Sequence, residues 1–253
     1  MEAHVALAAE KLFQIGPIPI TNSILTTWIV TFILIAFAFA VSRKVSLIPN
    51  SLQNFAEGLI EPLYDLVESL AHEKTKVFLP IVASFFFFIL VGNYFGLLPG
   101  VGTIGFYLPS ETLVKEGEHT PVFVPLFRAI NSDLNTTLAL ALVSVIATHY
   151  LAIKFLGLGG YLGKFLSLNP IFLFVGLIEL VGEFTKVASL SFRLFGNIFA
   201  GEAVLATAST KLFAFIVPIP FYFLEIIVGF VQALIFAILT LVFMVILTQK
   251  EGH

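Results

Sequence analysis

The amino-acid sequence predicts an all-α polytopic membrane protein. It should have five to six membrane helices, including a long, strongly tilted C-terminal helical hairpin, plus one amphipathic surface helix. Three observations carry that prediction. Of the 253 residues, 58% are hydrophobic and 11% charged, whereas an ordinary soluble domain is about a quarter charged. With 29 Phe and a mean hydropathy of +1.03, the chain carries more apolar surface than one soluble core could hide, so lipid is the expected solvent. The apolar residues also gather into runs of spanning length, and at about 20 residues per crossing the chain has no room for a large soluble domain. A net charge of −3 gives no basic surface for nucleic acid, and zero Cys removes disulfides, thiol catalysis and Cys-based metal sites.

The 1–23 segment carries Glu2, Glu10 and Lys11 without the charged-then-apolar order of a cleaved leader. Residues 24–42 form the first span, followed at once by Arg43 and Lys44. Over 51–74, Leu52, Phe55, Ala56, Leu59, Ile60, Leu63, Val67 and Leu70 recur at helical spacing, with Glu57, Glu61, Asp65 and Glu68 opposite. This is a helix lying on the membrane, and its acidic face argues for water or a protein partner rather than lipid headgroups; Pro62 should kink it. Residues 77–98 are the second span, ended by Pro99-Gly100, and 136–153 the third, capped by Lys154.

The pattern changes at 168–210, where Glu179, Glu183, Lys186, Arg193, Asn197 and Glu202 interrupt an otherwise apolar stretch. As one helix this stretch would be about 64 Å long, roughly twice the hydrocarbon thickness of about 30 Å, so it cannot stand upright. Pro218 and Pro220 separate it from a last run, 221–248, that holds Glu225 and Gln232. With the N-terminus outside, Arg43, Lys44, Lys74, Lys76, Lys154, Lys164 and Lys250 fall on the inner side. Lys11, Lys115, Arg128 and Lys211 fall on the outer, which favours a cytoplasmic C-terminus.

Arg193 lies far from any span end, where an arginine costs about 2.5–3.5 kcal/mol even on the mildest insertion scale. Either a carboxylate of this chain pairs with it, or it serves as a fixed positive charge. With a pKa above about 12 it cannot relay protons, but it can expel one from a neighbouring carboxyl group and block leakage. Lys186, Ser189, Asn197 and Ala200 share its helix face, and Glu202 lies opposite. Gly182, Ser189, Gly196 and Ala203 repeat every seven residues beside it, a line of small side chains that suits either a partner helix or packing within the chain. Glu202 and Glu225 on consecutive apolar helices suit a proton pathway. Glu179 and Glu183 fit a pathway or a solvated inner interface equally, and Asp133 fits a helix cap or a pathway role. His149 stands alone in the sequence, with no second His at ligand spacing, so no metal or other cofactor is expected. The chain contains no phosphate-cradling loop and no nucleophile elbow.

The stretch Ser189 to Glu202, Ser-Leu-Ser-Phe-Arg-Leu-Phe-Gly-Asn-Ile-Phe-Ala-Gly-Glu, resembles the signature of subunit a of rotary F-type ATP synthases. The resemblance extends to Gly92-Asn93-Tyr94-Phe95-Gly96-Leu97-Leu98-Pro99, to Asp133-Leu134-Asn135-Thr136-Thr137 and to Gln232-Ala233-Leu234-Ile235-Phe236, in order over about 24–250. It implies a non-catalytic, stationary proton-channel subunit in the inner (plasma) membrane, partnered by a c-ring of small two-helix subunits and by peripheral-stalk b subunits. It also implies that Arg193 faces the ring's carboxylates and that Asn197, Glu202, Glu225 and Gln232 line or adjoin two aqueous half-channels. Ser189, Asp133 and Glu179 are further pathway candidates. Some members carry His at the position of Glu225. Two rivals are a self-contained proton-coupled transporter, which should show internal repeats, and a structural anchor, which leaves the cost of Arg193 unexplained.

Overall fold

A computed structural model describes residues 9–43, 45–108, 122–165, 170–211 and 218–249. Glu2, Lys44, Lys115, Leu168, Lys250 and the Lys211 side chain, used in the sequence reading, lie outside the described residues. The described chain is mainly helical: α1 (Asn22–Ser42), α2 (Ser51–Ala71), α3 (Thr75–Gly96), α4 (Leu134–Phe165), α5 (Pro170–Lys211) and α6 (Pro218–Thr248). Four segments are long and apolar enough to cross a membrane: α1, the run Ser51–Gly96 that holds α2 and α3, α4 and α6. The fifth long helix, α5, has no proline after Pro170 and is uninterrupted over 42 residues. It is therefore one helix through Gly196 and Gly201, not two spans joined by a turn.

Local chemistry sets the helix starts. Thr21 Oγ1 accepts from the Ile24 backbone N–H (3.4 Å) at α1, and Asn50 Oδ1 accepts from the Gln53 N–H (2.8 Å) at α2. Asp133 Oδ1 accepts from the Asn135 N–H (3.3 Å) at α4. Pro218 opens α6, where a missing N–H costs nothing. The acidic face of α2 is exposed as expected, and α2 stays helical through Pro62. Only part of its apolar band is covered: Ala56, Leu63 and Val67 are buried while Leu52, Phe55 and Leu59 are exposed. A 3-10 turn, His72–Lys74, leads from α2 directly into α3.

Two features depart from the sequence reading. The third span does not stop at Lys154, because a lysine ends no helix; the break comes at Gly157, whose φ of 74° leaves helical geometry, and a short helical piece follows to Phe165. Two small antiparallel hairpins also appear, β1 (Lys11–Ile15) with β2 (Ile18–Thr21) and β3 (Gly105–Leu108) with β4 (Val122–Pro125). The first turns at Gly16 (φ 60°) and Pro17, a punctuation signal whose flanking strands are too short to show a pattern. Hairpins of this size need outside support. One tie is Asn22 Nδ2, which donates to the Pro125 carbonyl (3.3 Å).

The chain divides into two compact units: Met1–Ile35, Phe88–Thr136 and Phe195–Phe230 form the first, and Ala36–Phe87, Thr137–Leu194 and Val231–His253 the second. In the second, α3, α4 and α6 pack through aromatic contacts such as Phe78 with Phe155 (6.0 Å) and Phe85 with Phe236 (5.4 Å). Fully buried hydroxyl pairs join its helices, Ser144 with Thr240 at 2.8 Å and Thr137 with Ser191 at 3.1 Å. Small polar residues of this kind let helices approach where lipid gives no hydrophobic drive. Because the native chain lacks Cys, Ser144→Cys with Thr240→Cys should form a disulfide on mild oxidation. A gel shift that reductant reverses, absent from either single variant, checks it.

Candidate functional site

In the first unit, polar side chains converge around Arg128, which is only 6% exposed. Its backbone N–H donates to Thr26 Oγ1 (3.3 Å) and its Nε donates to Ser132 Oγ (2.9 Å), while Nε lies 3.8 Å from Glu202 Oε2. Glu10 accepts from Asn22 Nδ2 (3.4 Å) at the edge of this group. Burial lifts the Glu10 carboxyl above the usual carboxylate range; the Arg128 charge opposes that lift and the Glu202 charge adds to it. A chain of amides runs beside it. Asn131 Nδ2 donates to Asn93 Oδ1 (2.7 Å), and Asn93 Nδ2 donates to the Gly229 carbonyl (3.0 Å) on α6.

Glycines make these approaches possible. A Cβ on Gly96 would run into Ala129, one on Gly92 would press on Ile130 at 3.2 Å, and one on Gly229 would press on Asn93 at 3.3 Å. A Cβ on Gly201 would overlap the carboxyl group of Glu225, so α5 has no side chain where Glu225 lies against it. Glu225 is buried, and the buried acceptors Glu202 Oε2 and Asn131 Oδ1 have no hydrogen-bond partner among the described residues. Open acceptors in a polar, buried group are what water or a mobile proton would satisfy.

In the second unit, Arg193 is exposed, and its Nη2 donates to Ser189 Oγ one turn earlier (3.4 Å). Among the described residues no carboxylate forms an ion pair with it. It lines a groove of about 340 Å³ together with Lys186, Ser189, Leu239 and Phe243. Lys186 is turned to Glu183 Oε1 (2.6 Å) and lies over the Phe243 ring (4.8 Å). Of the small-residue line, a Cβ at Gly182 or Gly196 would meet open space, and Ser189 and Gly196 are exposed. Among the described residues, no side chain packs at the Cβ positions of Gly182 and Gly196.

The sequence of residues 24–245 matches the family model described as ATP synthase A chain. The chain belongs to that family. It is 32% identical over 243 residues to ATP synthase subunit a of Moorella thermoacetica, covering 96% of this chain and 97% of the relative. It is also 32% identical over 237 residues to ATP synthase subunit a 2 of a Bradyrhizobium species, covering 94% and 93%. Subunit a of Syntrophobacter fumaroxidans matches at 30% over 95% of this chain and 89% of the relative. The chain is accordingly a multi-pass membrane component of an ATP synthase, tied to ATP synthesis and proton transport and distinct from the catalytic subunits.

Within this family member the sequence candidates take different situations. Arg193, Ser189 and Asn197 are exposed on α5, Glu202 and Glu179 are half-buried, and Glu225 and Gln232 are buried on α6. The structural ion pair considered for Arg193 is not made among the described residues. Asp133 is a cap: besides the Asn135 N–H it accepts from Ser23 Oγ (3.1 Å) and Thr136 Oγ1 (3.3 Å). Two sequence readings need correction. Arg128, counted as a water-side charge, is buried against Glu202, and no periodicity in its loop could have signalled that. His149, read as alone, contacts Glu183 and Tyr161. Glu10, Asn93 and Asn131 were not candidates at all.

Removing Arg128 would leave Glu202 and Glu10 without their shared cation. Breaking a buried pair costs about 3–5 kcal/mol, and because Glu202 keeps a third of its side chain exposed we expect Arg128→Met to cost about 2–3 kcal/mol. Glu202→Gln in the same chain should return part of that loss, which a double-mutant cycle of thermal unfolding in detergent would measure.

Proposed function

We propose that this chain is the stationary proton-translocating subunit of a rotary F-type ATP synthase, with Arg193 as the electrostatic gate. Its partners are a c-ring of small two-helix subunits and peripheral-stalk b subunits that hold it still. Its N-terminus lies outside and its C-terminus in the cytoplasm. One observation carries the reading: an arginine in the midst of an apolar helix is exposed, hydrogen-bonded to Ser189, and without a carboxylate partner among the described residues. Beside it, Ser189 and Gly196 are exposed, and a Cβ at Gly182 or Gly196 would meet open space. A charge placed so needs a carboxylate from another chain, and a ring of acidic helices supplies one.

The mechanism follows from the charges. A proton reaches a ring carboxyl group through an inlet half-channel built on Glu202, Glu225, Asn197 and Gln232, with Asp133 at its margin. The neutral carboxyl group can then enter lipid as the ring turns. On returning to Arg193 it meets a fixed cation that favours the carboxylate, and its proton leaves by a second half-channel near Ser189 and Glu179. The guanidinium has no proton to give, so none passes directly between the two half-channels. The 42 residues of α5 make about 63 Å of helix, so α5 lies steeply inclined to span about 30 Å of hydrocarbon, and α6 inclines with it.

Arg193→Ala should abolish proton-driven ATP synthesis while the chain still inserts, and Lys should restore little, because a buried ammonium can lose its proton. Glu225→Gln and Glu202→Gln should each slow proton flux. Synthesis rates in inverted vesicles at equal assembly levels check this, and substantial synthesis by Arg193→Ala would refute the gate.

A further inference from the structure

The second unit holds a titratable cluster that the gate does not use. Glu183, 9% exposed, receives Lys186 Nζ on Oε1 (2.6 Å), and its Oε2 lies 3.5 Å from His149 Nε2. The opposite ring nitrogen, His149 Nδ1, is 3.0 Å from the Tyr161 hydroxyl, and the two rings meet edge to face at 5.8 Å. Twelve residues of unbroken helix would hold His149 and Tyr161 about 18 Å apart. The break at Gly157, with φ 74°, is what brings Tyr161 back onto the imidazole. A conformation that favours glycine is thus placed where it completes a hydrogen-bonded file from Tyr161 through His149 to Glu183.

That file adjoins the gate's own groove. Lys186 touches Glu183 and also lines the groove that contains Ser189 and Arg193. The groups that face Glu183 are His149 and Tyr161 from α4 and Lys186 from α5, with Glu179 one turn earlier on α5 and Phe243 of α6 beneath Lys186. We propose that Glu183 and His149 form the proton-accepting pair through which protons leaving the Arg193 groove reach the inner aqueous face, with Tyr161 setting the imidazole tautomer.

The steps balance. A proton released in the groove binds Glu183 Oε2 and passes to His149 Nε2. The ring then gives the proton on Nδ1 to the Tyr161 oxygen as the tyrosine passes its own hydroxyl proton to water, and the neutral ring, now protonated on Nε2, is reset for the next proton by tautomer exchange through water. In the reverse direction Tyr161 donates to Nδ1 and the Nε2 proton goes to Glu183. Imidazole is suited to this because its two nitrogens exchange donor and acceptor roles. Lys186 takes no part in the transfer; it occupies Oε1 and leaves Oε2 to the histidine.

This inference rests on the gate reading, so both are tested in the same inverted vesicles, in which the cytoplasmic face is outward and its pH can be set. Proton-driven ATP synthesis per assembled complex is measured against external pH for wild type, Arg193→Ala, Glu183→Gln, Glu183→Asp, His149→Gln and Tyr161→Phe. We expect Glu183→Gln and His149→Gln to slow synthesis about tenfold and to move the external-pH midpoint by about one unit, with the response to internal pH unchanged. Glu183→Asp should restore most of the rate, and Tyr161→Phe should move the midpoint without lowering assembly. Wild-type rates, or lower rates with an unmoved midpoint, in Glu183→Gln and His149→Gln overturn the inference and leave the gate standing if Arg193→Ala is inactive. Activity in Arg193→Ala overturns the gate instead. If Glu183→Gln fails to assemble, Tyr161→Phe decides: an unmoved midpoint overturns the assignment.

Discussion

A guanidinium that no described carboxylate of its own chain neutralises is the constraint on which the rest of this protein turns. Lipid cannot solvate it, and the cost of about 2.5–3.5 kcal/mol even on mild scales has to be met by groups outside the chain or by water. Charge pairing elsewhere keeps Arg193 in that state. Glu183 is engaged by Lys186 and His149, and Glu202 by Arg128. Each of these carboxylates has a cation of its own, and Arg193 stands beside a groove with open space at the Cβ positions of Gly182 and Gly196. On the proposed reading, an internal salt bridge would withdraw this charge from the ring.

The two units meet the same difficulty, ionisable groups in an apolar protein, in different ways. The first builds a network in which amides, hydroxyls and Arg128 share buried carboxyl groups, and glycines at 92, 96, 201 and 229 let backbone and side chains come close enough to make it. Networks of this kind are costly when partly satisfied, and among the described residues the acceptors Glu202 Oε2 and Asn131 Oδ1 are its unpartnered atoms. The second unit relies on aromatic and hydroxyl packing among α3, α4 and α6, and pairs its buried carboxylate Glu183 with Lys186 and His149.

Much of the fold was legible because spans announce themselves by length and hydropathy, and Arg193 stood out because a charge far from any span end is costly. The continuity of α5 could be read from the absence of proline after Pro170. The hairpins could not, since four or five residues show no dependable alternation. Arg128 was misread because burial of a loop residue depends on elements distant in sequence: Thr26 lies on α1 and Glu202 on α5. His149 was misread for a similar reason, since its partners come from α5 and from beyond a break at Gly157 that sequence periodicity does not reveal. Glycine positions, by contrast, were visible within the motifs, but what they make room for, such as Glu225 against Gly201, is a tertiary fact.

On the proposed gate reading, the exposed Arg193 face of α5 meets a carboxylate-bearing helix of another chain. Because the native chain has no Cys, one Cys at Gly196 can be paired with one Cys on the ring subunit beside its ion-binding carboxyl group, and the assembled membrane sector oxidised. A cross-linked product with the mass of this chain plus one ring subunit, formed at the expense of rotation and reversed by reductant, is expected. No such product from Gly196→Cys, together with efficient cross-linking from the α5 face opposite Arg193 at the exposed Phe184→Cys, nine residues away, would overturn this reading.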